Sequence, residues 1–281
     1  MAEINMAEME FIQLLPKMIG ETITTYCDPP DSAHYPPRDW IVIDKLSEVS
    51  KPITESDFAG GMGSAFTAGK YLCRPSAGNE DKLAFMRIYK QIPLDGTRLD
   101  NVKVREAQAS KPRNHVELDA LKDLTKNKCT ATPKLLGYRF DKQDANDLVP
   151  GGYIMYLVWE KVPGEPLDIN EFWSLPFSQR QIFRDKFKKA YTEVLRFGYM
   201  PIMSTPSKII LDKTTGDIPK LITHSKVSGF SWAARIRPED KEWKDYNFMM
   251  FSLVLIDQDR EKDFPTIVND LKDVLNNGWR W

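Results

Sequence analysis

The side chains able to do covalent or metal chemistry are few in this sequence, and they are scattered. Cys27, Cys73 and Cys129 are odd in number and widely spaced, with no C-x-x-C pair. Neither a zinc knuckle nor a disulfide framework fits that pattern, which suits a reducing compartment. His34 lies in the proline-rich stretch DPPDSAHYPPRD and reads as a surface residue. His115 stands two residues before Glu117, a spacing that points it off that glutamate's helical face, so a site shared by the two is not expected. No cluster of histidines and carboxylates has metal-ligand spacing, and no G-x-S-x-G elbow is present for a hydrolase. The acidic run DQDREKD lacks the glycine and terminal glutamate of a calcium loop, so it reads as a solvated helix end.

Composition narrows the classes further. The 281 residues carry 39 basic and 40 acidic side chains for a net charge of −1, and 42% are hydrophobic. That balance argues against disorder, and without a basic field a dedicated nucleic-acid binder is disfavoured. The N-terminal stretch MAEINMAEMEFIQLLPKMIG has acidic residues where a secretory signal needs basic ones. The longest apolar run, Phe248 to Ile256, is far short of the ~20 residues that cross a bilayer and reads as a buried helix. A cytoplasmic protein without a membrane span is the expectation.

The elements that must position any site follow from the periodicities. After a short amphipathic stretch and the proline-rich connector, WIVIDKL, SAFTAGKYLC and KLAFMRIYKQI read as strands separated by turn-formers. NHVELDALKDLTKN sets Val116, Ala120, Leu121 and Leu124 on one helical face. PKLLGYRF and GGYIMYLVWE are two further strands. Beyond Trp159 the pattern turns helical: Ser178 and Gln181 suggest a capping box, and Phe183, Phe187, Ala190, Tyr191, Val194 and Leu195 continue at helical spacing up to Gly198. KIILD, a turn and a strand near Leu221 to Phe230 come next, with two closing helices around 245–257 and 264–276. Trp279 and Trp281 either dock on the body or form a tail. Five strands with one helix, then a helix-rich half, is an α+β plan in two lobes, with a hinge near residues 160–164.

This order of elements, together with AFMRIYKQIP, ELDALKDLT, TPKLLGYRFDKQDANDLVPGGYIMYLVWEKVPGEPL, ARIRPEDKEW and DYNFMM, resembles the protein-kinase fold, and in particular small fungal kinase-like (phosphotransferase-like) proteins. The resemblance covers about residues 40–260. It implies an N-terminal extension (1–38), a kinase-like five-stranded lobe (39–160) and a reduced helical lobe (161–281). It also implies where catalytic groups should stand, and there the sequence departs from the family. Arg87 takes the place of the lysine that pairs with nucleotide phosphates, while Glu117 supplies its usual glutamate. Gly61 and Gly63 fit a partial glycine loop, with Phe66 in place of a third glycine. Met203 falls at the catalytic aspartate, Pro201 at the histidine and Lys208 at the metal-binding asparagine. Phe230 falls at the second metal-binding aspartate, with Thr223 and His224 as alternatives.

Methionine and phenylalanine offer magnesium no oxygen, and an ammonium repels it, so phosphoryl transfer is not expected and neither is a metal or other cofactor. Arg87 and Glu117 can form a bidentate bridge that either holds helix to sheet or reads a ligand. Tyr156, Trp159, Met203, Phe230 and Trp232 either fill the cleft or line an apolar pocket for a small molecule. The second case implies a metal-free cyclase or pericyclase, acting on a terpenoid or polyketide intermediate in fungal specialised metabolism, with Arg87 or Lys208 polarising a carbonyl. The first implies a pseudokinase scaffold that binds a protein partner without catalysis.

Overall fold

The computed structural model describes residues 13–27, 37–78, 82–112, 115–201, 204–212, 217–221, 233–237, 240–256 and 279–281. The chain divides into two compact units. Of the described residues, the first holds those within 1–119 and 134–161, and the second holds those within 120–133, 162–225 and 231–281.

Unit one is built on an antiparallel sheet of β1 (Thr22–Thr25), β2 (Arg38–Lys51), β3 (Phe66–Pro75), β4 (Ala84–Gln91), β5 (Leu135–Lys142) and β6 (Tyr153–Glu160), in the order β1-β2-β3-β4-β6-β5. The sheet therefore has six strands where the sequence suggests five. The extra strand, TITT, is too short and too polar to announce itself; its register comes from pairing Ile23 with Trp40 on the distant β2. Strand alternation sends Met86, Ile88, Tyr156 and Val158 to one face, where they pack with Trp40, Val42, Tyr71 and Leu15. Leu15 is held there by Glu48. Its carboxylate accepts from the backbone N–H of Leu14 (2.8 Å) and Leu15 (3.1 Å), from Thr67 Oγ1 (2.8 Å) and from Lys45 Nζ (2.5 Å).

Between β2 and β3 lies a five-residue helix, Glu55–Ala59, whose N-cap Thr54 accepts from the Asp57 N–H. Its end explains one of the glycines. Gly61 N–H donates to Phe58 O and Met62 N–H to Asp57 O, with Gly61 at φ +86°, which is a Schellman ending that a side chain at Gly61 would strain.

Unit two is organised by the helix Phe177–Arg196. Its N-cap is Pro176, with no side-chain cap bond, so the expected capping box at Ser178 does not form: Ser178 already lies inside the first turn. Phe183, Phe187, Tyr191, Val194 and Leu195 pack with Ala120 and Leu124, from the later turns of the helix Val116–Lys126, and with Phe172, Phe248 and Phe251. Aromatic contacts dominate this core, among them Phe187 with Phe251 (4.8 Å) and Trp243 with Phe248 (4.8 Å). Trp281 docks edge-on against Phe248 at 5.9 Å, which settles its placement.

The expected helix at 245–257 is shorter, spanning Tyr246–Met250. The chain then turns through Ser252 at φ +57° into β12 (Leu255–Ile256), paired with β13 (Trp279–Arg280). An apolar run without clear period does not distinguish helix from turn and strand. The expected helix at 264–276 lies outside the described residues. The small strands β7 (Glu165–Pro166), β9 (Ile209–Asp212) and β10 (Asp217–Leu221) form one sheet, and β8 (Tyr199–Pro201) pairs with β11 (Ala233–Arg235). Gly164 is required beside β9, since a Cβ there would sit 2.6 Å from Leu211 O. Among the described residues no helix is long and apolar enough to cross a membrane.

Candidate functional site

The second face of the unit-one sheet carries the polar centre. Period-two alternation along β4 puts Phe85, Arg87 and Tyr89 on that face, opposite Trp159, Leu157 and Met155 of β6. Glu117 sits in the first turn of the helix Val116–Lys126, where a carboxylate complements the helix dipole. Arg87 Nη1 lies 3.3 Å from Glu117 Oε2, and Tyr89 donates its hydroxyl to the same oxygen at 2.6 Å. Arg87 and Tyr89 thus meet on one and the same carboxylate oxygen. Arg87 also lies over the Trp159 ring, 5.4 Å from its centre.

The arrangement is deeply enclosed, with Arg87 at 2% and Glu117 at 3% exposure. Burial opposes the charge on Arg87, but the Glu117 carboxylate and the Tyr89 hydroxyl reverse that, and the guanidinium pKa ends above its ordinary value. At any physiological pH the guanidinium is therefore charged.

His115 belongs to this centre, contrary to its helical spacing from Glu117. The helix begins at Val116, so His115 lies before it and is free of the helical arrangement. Its ring stacks on Tyr89 (3.8 Å, 20°) and meets Phe66 edge-on at 4.9 Å. In the sequence Tyr89 is marked only by its i, i+2 relation to Arg87 on one strand.

The remaining sequence candidates divide. Trp159 is brought to Arg87, whereas Tyr156 points to the opposite face, packed in the first core with Arg139 4.4 Å over its ring and its pKa raised by burial. Gly61 and Gly63 lie in the turn after the short helix, both at positive φ. Met203, Phe230, Trp232, Thr223 and His224 lie outside the described residues.

Lys208 is in unit two, at the end of the 3-10 turn Pro206–Lys208 that leads into β9. Its exposure is 0%, and Nζ has no hydrogen-bond partner among the described residues. Burial alone lowers its pKa to about 8. A second enclosed cation, Arg184, differs: its Nε donates to Leu253 O at 2.8 Å, and the rings of Phe172 and Trp281 lie 5.6 Å from its guanidinium carbon. Its pKa falls to about 10, from burial first and the neighbouring Arg180 second.

Lys208, which the resemblance sets at a metal-binding asparagine, is a buried ammonium with no hydrogen-bond partner among the described residues, and an ammonium repels a divalent ion and offers it no oxygen.

No family model and no curated protein matches the chain. Among solved structures it is similar to the Cydia pomonella granulovirus kinase PK-1, at 12% identity over 80% of this chain and 74% of that one, with a TM-score of 0.40.

Proposed function

We propose that this is a kinase-like protein that does not transfer phosphate and that holds a small apolar molecule instead, with a metal-free cyclisation or pericyclic reaction of a terpenoid or polyketide-type intermediate as its activity. The observation that supports the first half is Lys208: the residue that the resemblance sets at a metal-binding asparagine is a buried ammonium with no hydrogen-bond partner among the described residues, and phosphoryl transfer needs an oxygen ligand for the metal there. Arg87 adds to it, because its guanidinium is committed to Glu117 and Trp159.

The second half is supported by what such a reaction requires. Ordering a flexible hydrocarbon in a reactive geometry needs shape more than acid–base groups. One desolvated donor is enough to draw charge toward a carbonyl oxygen. Lys208 with a pKa of about 8 is still mostly protonated at neutral pH, and so remains a donor.

A second reading, a partner-binding scaffold without catalysis, is favoured by the way Arg87 and Tyr89 both close on Glu117 with little exposed surface. One experiment separates the two: thermal-shift titration with isoprenoid and polyketide-like compounds, followed by mass spectrometry for isomers of unchanged mass. The enzyme reading expects saturable stabilisation by at least one compound and a new isomer of it. Stabilisation by none of them, with a protein partner co-purifying stoichiometrically, would leave the scaffold.

A further inference from the structure

Unit one contains a cavity of about 430 Å³ that belongs to neither the Arg87 centre nor Lys208. Its walls are the loop Ala109–Pro112, the end of β5 with Phe140, Asp141 and Lys142, and Gly151 and Tyr153 at the start of β6. We propose that it binds a small flat aromatic acid, the ring lying on Phe140 and Pro112 and the anion meeting Lys111 and Lys142.

The first support is rigidity. Gln91 Oε1 accepts from the Ser110 backbone N–H (3.0 Å) and from Ser110 Oγ (3.1 Å), fixing the loop over the sheet. Gln143 Nε2 donates to Gln91 O (2.8 Å), and Gln143 Oε1 accepts from the Val149 N–H (3.0 Å), fixing the opposite wall. Arg105 Nη1 donates to the carbonyls of Asp147 and Leu148, both at 2.7 Å. A cavity held open by such side-chain hydrogen bonds needs little ordering when a ligand enters.

The second is chemistry. Phe140 is a large apolar side chain left 38% exposed on the cavity wall. Around it stand two ammonium groups and one carboxylate. Asp141 is already engaged by Arg139 Nη2 at 3.5 Å and by the Lys142 backbone N–H at 2.9 Å. Lys111 and Lys142 have no ion pair among the described residues, so the rim keeps an excess of positive charge above an aromatic surface. The volume suits a ring system of one or two rings.

The test is a titration of the full chain with 1-naphthoate and with its neutral analogue 1-naphthamide, followed by amide NMR. Saturable shifts confined to Ser110, Phe140, Lys142, Gly151 and Tyr153 are expected, with a Kd on the order of 1 mM for a ligand of this size. Naphthamide should bind at least about fivefold more weakly, as should naphthoate to Lys111→Glu, Lys142→Glu and Phe140→Ala. Lys126→Glu, the same charge change on an exposed helix end, should leave the Kd within about twofold. Absence of saturable binding, equal affinity for the amide, shifts mapping elsewhere, or an equal loss in Lys126→Glu would each overturn the proposal.

Discussion

Arg87 and Lys208 are both long basic side chains with almost no exposed surface, one in each unit, and they are solvated in opposite ways. Arg87 has a carboxylate at 3.3 Å, an aromatic face beneath it and a neighbouring tyrosine on the same carboxylate. Lys208 has no hydrogen-bond partner among the described residues. The consequence appears in their proton affinities: the paired guanidinium pKa is raised in spite of burial, while the lone ammonium is pulled down to about 8. A buried charge with a counter-ion is part of the architecture, and one without is a standing cost that persists where something compensates it.

The sharpest way to break this comparison is to give Arg87 the condition of Lys208. Glu117→Ala leaves the guanidinium buried without its anion and should cost about 3–5 kcal/mol in urea unfolding followed by tryptophan fluorescence. The double variant Arg87→Met, Glu117→Leu should recover most of that loss. A cost below about 1 kcal/mol for Glu117→Ala would mean that Arg87 finds another partner and the contrast is false.

Tyr89→Phe removes one hydrogen bond to the carboxylate and leaves the ion pair. The expected loss is about 1.5–3 kcal/mol in the same measurement, smaller than that of Glu117→Ala. The converse change, Lys208→Met, removes a buried cation that has no hydrogen-bond partner among the described residues and should stabilise by about 1–3 kcal/mol. Destabilisation there would reveal a partner for Nζ.

The same lysine gives a pH signature. Its folded pKa lies below the ordinary lysine value of 10.5, so between about 8 and 10.5 the unfolded chain binds more protons than the folded one. The penalty from Lys208 is complete below pH 8 and fades as pH rises through that window. The advantage of Lys208→Met over the parent should therefore shrink from pH 8 to 10.5 in paired unfolding curves. An advantage that stays constant across the window would show that Lys208 titrates normally.

The sequence discloses these two regions unevenly. β3, β4, β6 and the helix Phe177–Arg196 are local patterns, so alternation and helical spacing expose them. β1 is not local: four threonine-rich residues become a strand because β2 offers an edge. Pairing Arg87 with Glu117 follows from the family resemblance, but Tyr89 and His115 join them only through tertiary placement, His115 because the helix starts one residue after it. Tyr156 shows the reverse error. It is three residues from Trp159, and an odd separation along a strand places two side chains on opposite faces. That rule was readable from the sequence, and it separates the two residues whatever else surrounds them.

The proposed absence of phosphoryl transfer is tested most directly by incubation with magnesium and ATP labelled at the γ-phosphate, alone and with generic protein and small-molecule acceptors. No label should leave ATP above the protein-free background, in the parent chain or in Lys208→Asn. Label transferred by the parent chain, and lost when Arg87 is replaced by methionine, would contradict the account.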